Sequence, residues 1–352
     1  MSSFKYTTAE QQLQKLKSQR LSIQNEIAAK YALNTYGYYN IINGYREPYI
    51  TREYEKKTYN SDVSFEQIFA LFSFDHHIRD AVLLSMIDLE EHLKAIVANI
   101  IAESFGSDHR LYLERNNYRD KRVRDPKFSR NKILADMKKA AEESHTQPIR
   151  YYRETHNIIP PWILFKGIFF GTFVNYIKFF KPPQREKLIK ALYSQQVSSE
   201  NMGLFKELLS DTLSLCLEYR NLAAHGGRTY NYIPNSNMRN FDENELKHGL
   251  SQLLAALKFF DYQQPFVRLD QAINRALNEY CHGFPEDIHR IELATGFNIR
   301  IETRVWINKN TLKFHTTPHC SGSKDCSNVL LEKALQMNYT PCKRCCTNIQ
   351  YS

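Results

Sequence analysis

The sequence predicts a mainly α-helical protein that ends in a small α/β module, and three observations carry that reading. Apolar residues recur at three- and four-residue spacing up to about residue 282, in segments of fifteen residues or more, which is the period of an amphipathic helix. Gly and Pro number 12 each in 352 residues, too few for an all-β chain with a turn every ten residues. After Pro285 the pattern changes to strand-like alternation in RIETRVWINKNTLKFHT, where Asn308-Lys309-Asn310 can turn a hairpin. The chain therefore divides at 1–283 and 284–352. Its 42% hydrophobic and 24% charged content suffices for a sizeable core.

Taken in order, Thr7 or Thr8 caps a first helix that runs through Leu13, Leu16, Leu21, Ile23 and Ile27. The Tyr-, Asn- and Gly-rich run LNTYGYYNIINGYREPYI reads as a packed loop with short helical turns, its tyrosines used for packing more than for stacking on bases. Helical blocks follow at 65–71 and 75–103, the second carrying Ile78, Val82, Met86, Leu89, Leu93, Ile96, Val97 and Ile100 on one stripe. His76-His77 and His92 hint at a metal pair, but only Asp75 and Asp80 offer carboxylates nearby, so they read as surface or core histidines. The most apolar stretch, 158–180, contains Pro160-Pro161, Lys166 and Lys178; spanning a bilayer would bury a lysine in lipid, so 162–180 reads as a core helix and no membrane partner is expected. Further helices are expected at 184–193, 204–224, 243–260 and 269–281, and a short one after Pro285. No apolar stretch follows the first lysine, which points to a cytoplasmic protein.

The formal charge is +9 from 47 Lys plus Arg against 38 Asp plus Glu, which favours a polyanionic partner, nucleic acid first. Most of the excess lies in 110–139, with eleven Lys and Arg against four acids. Arg115, Arg119, Lys121, Arg122, Arg124 and Arg130 are the candidate RNA-backbone contacts, and Tyr112 and Tyr118 could stack on unpaired bases. The plain alternative is a solvated helix pair with a charge excess.

Most of the chemistry sits in LCLEYRNLAAHGGRTYN, at the end of an apolar helix that Gly226-Gly227 stops. At about 100° per residue, Glu218, Asn221 and His225 share a face, while Arg220 lies about 140° from His225. A histidine held in one tautomer, with a guanidinium nearby for a pentavalent phosphate, suits metal-free RNA cleavage by the ribose 2′-hydroxyl. The spacing alone is weak, since Arg150/His156 and Arg275/His282 fall in the same range of four to six intervening residues, and Arg220 and His225 could simply offset the helix dipole.

RNLAAHGGRTYN resembles the Arg-Asn-x-x-x-His signature of HEPN domains, specifically in the Abi family (AbiD/AbiF type) of bacterial phage abortive-infection proteins. LNTYGYYNIINGY, SFEQIFALFSFDHHIRDAVLLSMIDLEEHLKAIV and PPWILFKGIFFGTFVNYI resemble that family's other motifs in order, so the likeness covers about 7–262. Lys166 departs from it, standing where an acidic residue is expected. The resemblance implies an all-helical HEPN-like bundle in which Arg220, Asn221 and His225 line a cleft, often completed across a homodimer. It implies His225 for proton transfer, Arg220 for phosphate charge and Asn221 for orientation, in an antiviral ribonuclease toxin. The competing expectation is a non-catalytic RNA-binding or scaffolding protein of the same fold that sequesters, or is regulated by, a small RNA or antitoxin.

Five of the seven cysteines fall in the last 33 residues, a pattern that suggests metal more than disulfides. Cys342 and Cys345 form a C-x-x-C pair that fits two corners of a zinc tetrahedron. Cys320 and then His315 are the preferred upstream ligands, with Cys326, His319 and Cys346 as competitors. The stretch 328–345 resembles Ada-like metal-binding modules, which implies a helix between the ligand pairs and usually four cysteines. One structural zinc ion per chain is the expectation, and Lys313, Lys343 and Arg344 make nucleic-acid docking plausible there.

Overall fold

A computed structural model of the chain describes residues 6–53, 56–123, 125–236, 238, 249–299, 304–317, 320 and 326–346. It is mainly α, with a small α/β module at its C-terminal end. Helix α1 (Ala9–Ser18) starts at a reciprocal cap in which the Thr8 hydroxyl accepts from the Gln11 amide and the Gln11 side chain accepts from the Thr8 amide. The expected first helix does not continue to Ile27. At Arg20 the chain takes φ +68°, the Leu21 amide reaches back to the Leu16 carbonyl, and the Ser22 amide donates to the Val63 carbonyl. That turn buries both Leu16 and Leu21, and a second helix, α2 (Glu26–Tyr36), begins at the Asn25 cap with Ile27 left exposed.

The Tyr-rich run forms a π turn over Tyr39–Asn43 and a 3-10 turn over Glu47–Tyr49, burying Ile41, Ile42, Tyr45 and Tyr49. A hairpin of β1 (Ile50–Glu53) and β2 (Lys56–Tyr59) follows. The two expected helical blocks then prove to be one, α3 (Phe65–Phe105), 41 residues and about 60 Å long. Phe72, Phe74 and Asp75 are buried across the expected gap, so packing carries the helix through it.

Short helices α4 (His109–Tyr112), α5 (Arg130–Glu143) and α6 (Ile149–His156) follow. The core helix expected over 162–180 is instead α7 (Pro161–Leu164), a 3-10 turn and α8 (Phe170–Ile177), separated by an extended Ile168. Gly167 packs so close to Ile149 that a Cβ there would lie 2.5 Å from its Cδ1. Next come α9 (Pro182–Leu192), α10 (Met202–Ala224), α11 (Leu250–Lys258), α12 (Gln264–Gly283) and α13 (Ile288–Thr295). α12 packs along α3 most extensively, with α10, α9 and α7 against its other sides.

Two buried carboxylates tie this body together. Asp75 Oδ1 accepts from the Thr229 and Tyr230 amides at 2.9 and 2.7 Å, and Oδ2 accepts from the Tyr45 hydroxyl at 2.5 Å. Asp287 accepts from Tyr49 at 2.7 Å and from Gln67 at 3.2 Å, and also from Tyr280 and Arg290.

A second, separate core contains Val305, Ile307, Phe314, Ala334 and Tyr339. Strands β3 (Arg304–Asn308) and β4 (Lys313–His315) make the expected hairpin, its turn held by Asn308 Oδ1, which accepts from the Asn310 and Thr311 amides. The sheet order is β5-β3-β4-β6, with β5 (Cys326–Leu330) antiparallel to β3 and β6 (Thr340–Pro341) parallel to β4. Helix α14 (Leu331–Gln336) connects β5 to β6. Among the described residues no helix is long and apolar enough to cross a membrane.

Replacing Asp75 by Ala leaves three buried donors without an acceptor and is expected to cost on the order of 3 kcal/mol or more, whereas Asp75→Asn keeps an oxygen for both amides and costs much less. Urea unfolding of the two variants beside wild type checks the order.

Candidate functional site

The C-terminal end of α10 is built by its stop signal. His225 is the residue that caps the helix, Gly226 turns the chain at φ +70°, and Gly227 closes back so that its amide meets the Leu222 carbonyl at 2.9 Å. Asp75 then catches the amides of Thr229 and Tyr230, which fixes the segment 226–230 against α3. Burial pushes the Asp75 carboxyl above its usual range, although its hydrogen bonds from Tyr45, Tyr230 and Thr229 and the charge of Arg79 pull the other way.

His225 and Asn221 are exposed on this end. His225 lines a cavity of about 500 Å³ together with His76 and Arg79 of α3, Arg228 beyond the helix, and Tyr36 and Tyr39. The Arg79 Nη1 approaches the Gly226 carbonyl at 3.4 Å, and Arg228 Nη1 donates to the Gly44 carbonyl at 2.8 Å. His76 Nδ1 lies 3.5 Å from Asp80 Oδ2. The cavity is thus walled by two imidazoles and two guanidiniums. His92, by contrast, stacks on Tyr262 at 4.2 Å.

Arg220 leaves the helix on another side, as its angular offset from His225 requires. Its Nε lies 3.9 Å from Glu90 Oε2 and has no hydrogen bond. Glu90 also accepts from Lys94 at 2.7 Å and lines a second cavity of about 700 Å³ with Glu91, Trp162 and Lys166. Lys166, the residue that departs from the family pattern, therefore faces carboxylates supplied by α3. Glu218 accepts from Tyr232, Ser236 and the Asn235 amide; burial opposes its charge, but these hydrogen bonds outweigh burial and hold its carboxyl below the usual range.

At the C-terminal end, His315, Cys320, Cys342 and Cys345 bring their ligand atoms within 4.8 Å of one another. Cys320 Sγ and Cys342 Sγ are 3.8 Å apart, and Cys345 Sγ is 3.6 Å from His315 Nδ1. Two zinc bonds of about 2.3 Å at the tetrahedral angle span about 3.7 Å, so this cluster could hold a metal ion and is compatible with zinc. The His315 Nε2 is buried without a hydrogen-bond partner. Burial works against the Cys345 thiolate, yet hydrogen bonds from Thr316, Cys320 and His315 bring its thiol down to about 6; the hydrogen bond to that thiolate pushes Cys320 up to about 12. Of the competing ligands, Cys346 turns away to donate to the Phe314 carbonyl at 3.3 Å, Cys326 stands on β5 opposite Asn308, and His319 lies outside the described residues.

The basic segment is used largely for its own structure. Arg130 is buried, donating to the Tyr118 carbonyl and to Asp120. Arg119 donates twice to the Lys178 carbonyl. Arg119 and Lys121 also line a cavity of about 190 Å³ with Lys178, Arg185 and Lys206. Arg115 lies 3.9 Å from Asp120, Arg122 is exposed, and Arg124 lies outside the described residues. The expected stacking role of Tyr112 and Tyr118 does not hold. Both are buried, Tyr112 bonded to the Ile159 carbonyl and Tyr118 to the Tyr112 carbonyl and to Tyr176.

Residues 31–231 match the family of Abi-like proteins, more than half of the chain. The chain belongs to that family. The matched span runs from within α2 to the Asp75-bound amide of Tyr230, so it takes in His225, Arg220 and every residue named on the 500 Å³ cavity. Neither a curated protein nor a solved structure matches this Abi-like protein. Sequence reasoning missed Arg79, Arg228 and His76 as cleft residues. The available signal was His76 and Arg79 one turn apart on α3, and it becomes a site only once α10 is laid against that turn.

Proposed function

We propose that this Abi-like protein is a phage-defence toxin of HEPN type, acting in the cytoplasm, that cleaves RNA without a metal ion. The observation that supports it most is His225, an exposed imidazole at the end of α10 over a cleft lined by His76, Arg79 and Arg228 beside three tyrosines. In this reading His225 moves a proton, Asn221 on the same exposed face orients the scissile phosphate, and Arg220 exchanges its loose contact with Glu90 for phosphate charge. The exposed cations Arg115, Lys121 and Arg122 track the RNA backbone, Arg119 and Arg130 hold that track in shape, and Arg124 joins it in sequence. The engagement of Arg220 with Glu90 favours the other reading, a non-catalytic RNA-binding or scaffolding protein that sequesters, or is regulated by, a small RNA or antitoxin.

We further propose a structural zinc ion at His315, Cys320, Cys342 and Cys345, which would tie the hairpin to the segment after β6 and leave no ligand position open for chemistry. The chain is proposed to form a homodimer, expected from the sequence to bring the 204–227 helices together; Leu84 and Ile87, exposed on α3, supply apolar surface for the contact, with exposed Trp162 on the same cavity as Ile87. The two cores support two units, but Asp287 and Ile291 belong to the first core, so the boundary is placed after α13 rather than at the expected 283/284.

With EDTA present, the protein should convert cellular RNA to fragments ending in 2′,3′-cyclic phosphate, and His225→Ala should cut the rate about 10²- to 10⁴-fold with RNA affinity nearly unchanged. Equal cleavage by both proteins, or none by either, leaves the binding reading standing. Elemental analysis should give one zinc per chain for wild type and for Cys326→Ser, and close to none for Cys342→Ser. Light scattering should return twice the 41.5 kDa chain mass, falling to one chain for the pair Leu84→Asp and Ile87→Asp.

A further inference from the structure

Cleavage of RNA through its own 2′-hydroxyl needs two proton transfers on opposite sides of phosphorus. One removes the 2′-hydroxyl proton and the other supplies a proton to the departing 5′-oxygen. A single imidazole cannot serve both sides of an in-line displacement at once. Arg220 does not fill the second place, since it is turned to Glu90 and does not line the His225 cavity.

The same cavity carries, on α3, what is missing. His76 lies on α3 beside Asp75, the residue whose carboxylate fixes the segment after His225, and Arg79 of the next turn reaches the Gly226 carbonyl. The two imidazoles are therefore held by one rigid junction rather than by separate mobile loops. Asp80, one turn on from His76, sits 3.5 Å from Nδ1, which leaves Nε2 for a substrate. Arg79 and Arg228 add two guanidiniums, the donors suited to a phosphodiester. Tyr39 stands three-quarters exposed at the same cavity, a face on which an unpaired base can stack. A volume of about 500 Å³ falls within the range of small-ligand sites, roughly 300–1,000 Å³.

We infer that His76 is the second proton-transfer residue of the His225 cleft and that Arg79 and Arg228 hold the scissile phosphodiester of an unpaired RNA strand there. This rests on the ribonuclease reading and deepens it, because the proton-transfer pair is complete within one chain. One neutral imidazole takes the 2′-hydroxyl proton as O2′ bonds to phosphorus. The P–O5′ bond breaks, and the other imidazole, protonated, delivers its proton to O5′. The products are a 2′,3′-cyclic phosphate and a 5′-hydroxyl, and no water, metal ion or redox partner is consumed. The titratable and charged groups facing the pair are Asp80 and Arg79 on α3, Tyr36 on α2, Tyr39 and Tyr45 after it, and Arg228.

The test uses the full chain. Single-turnover cleavage of a short unpaired RNA is measured against pH for wild type, His76→Gln and His225→Gln. Wild type should give a bell, and each variant should lose at least 100-fold in rate and one limb of the bell. Binding is followed with a 2′-O-methyl oligoribonucleotide, which cannot be cleaved. Its affinity should stay within about threefold for both histidine variants and fall at least tenfold for Arg79→Ala and for Arg228→Ala. Histidine side-chain NMR of the wild-type protein should show the signals of both His76 and His225 moving as this probe is added. His76→Gln protein with the wild-type rate and pH profile overturns the inference, as does a probe that moves only the His225 signal. Wild-type protein that cuts no RNA overturns the ribonuclease reading and the proton-transfer role with it. The probe then decides by itself whether the four residues form a phosphate site.

Discussion

The arrangement of this chain hangs on a carboxylate that water does not reach. Asp75 lies on a helix that is buried over most of its length, and its two oxygens hold three donors from two segments far apart in sequence, Tyr45 and the amides of Thr229 and Tyr230. An ionisable group in such a place is costly unless every lone pair facing the protein is used. Satisfying it forces the Tyr-rich segment and the chain after α10 onto the same turn of α3. The cavity at His225 is the space left between those three pieces.

Charge in this protein is divided between architecture and surface, and counting basic residues does not separate the two. The net charge of +9 comes mostly from 110–139, yet Arg130 is buried on a backbone carbonyl and Arg119 grips another. A guanidinium offers five donors, so it serves well as a bracket for carbonyls in a segment with little regular structure. Arg79 and Arg228 come from outside the dense run, reach backbone carbonyls and still line an open cavity.

The helices were legible where the apolar period was sustained, as at α9, α10 and α12, and for α1 the Thr8 cap was legible but not its end. They were misread where tertiary packing overrode local pattern. The break expected before Asp75 vanished because Phe72, Phe74 and Asp75 all find buried partners. The single helix expected over 162–180 is broken by a 3-10 turn and the extended Ile168, where Gly167 lies against Ile149. The strand β5 gave no alternation to read, since its residues are all at least partly exposed. At the C-terminal cluster the pairing of Cys342 with Cys345 was legible because C-x-x-C spacing is local, whereas the place of His315 beside Cys345 and of the Cys346 thiol on a carbonyl depends on hairpin register. The cleft was legible in part. A motif on one helix shows which side chains stand on it, but not which turn of another helix will face them.

The double glycine after His225 sets a length as well as a stop. A Cβ on Gly227 would lie 2.3 Å from Leu222 Cδ1 and 3.2 Å from the Leu222 carbonyl oxygen, and Gly226 occupies the left-handed region. Only three residues separate the imidazole from the first amide caught by Asp75, and two of them have no side chain to accommodate change. This stretch therefore behaves as a ruler. Substitutions on the outer faces of the helices can accumulate without moving the cleft, but inserting or deleting one residue between His225 and Thr229 would shift the imidazole relative to α3 while most of the fold survived. Among diverging relatives, the span from this histidine to the anchored threonine should resist length variation more strongly than the loops on either side.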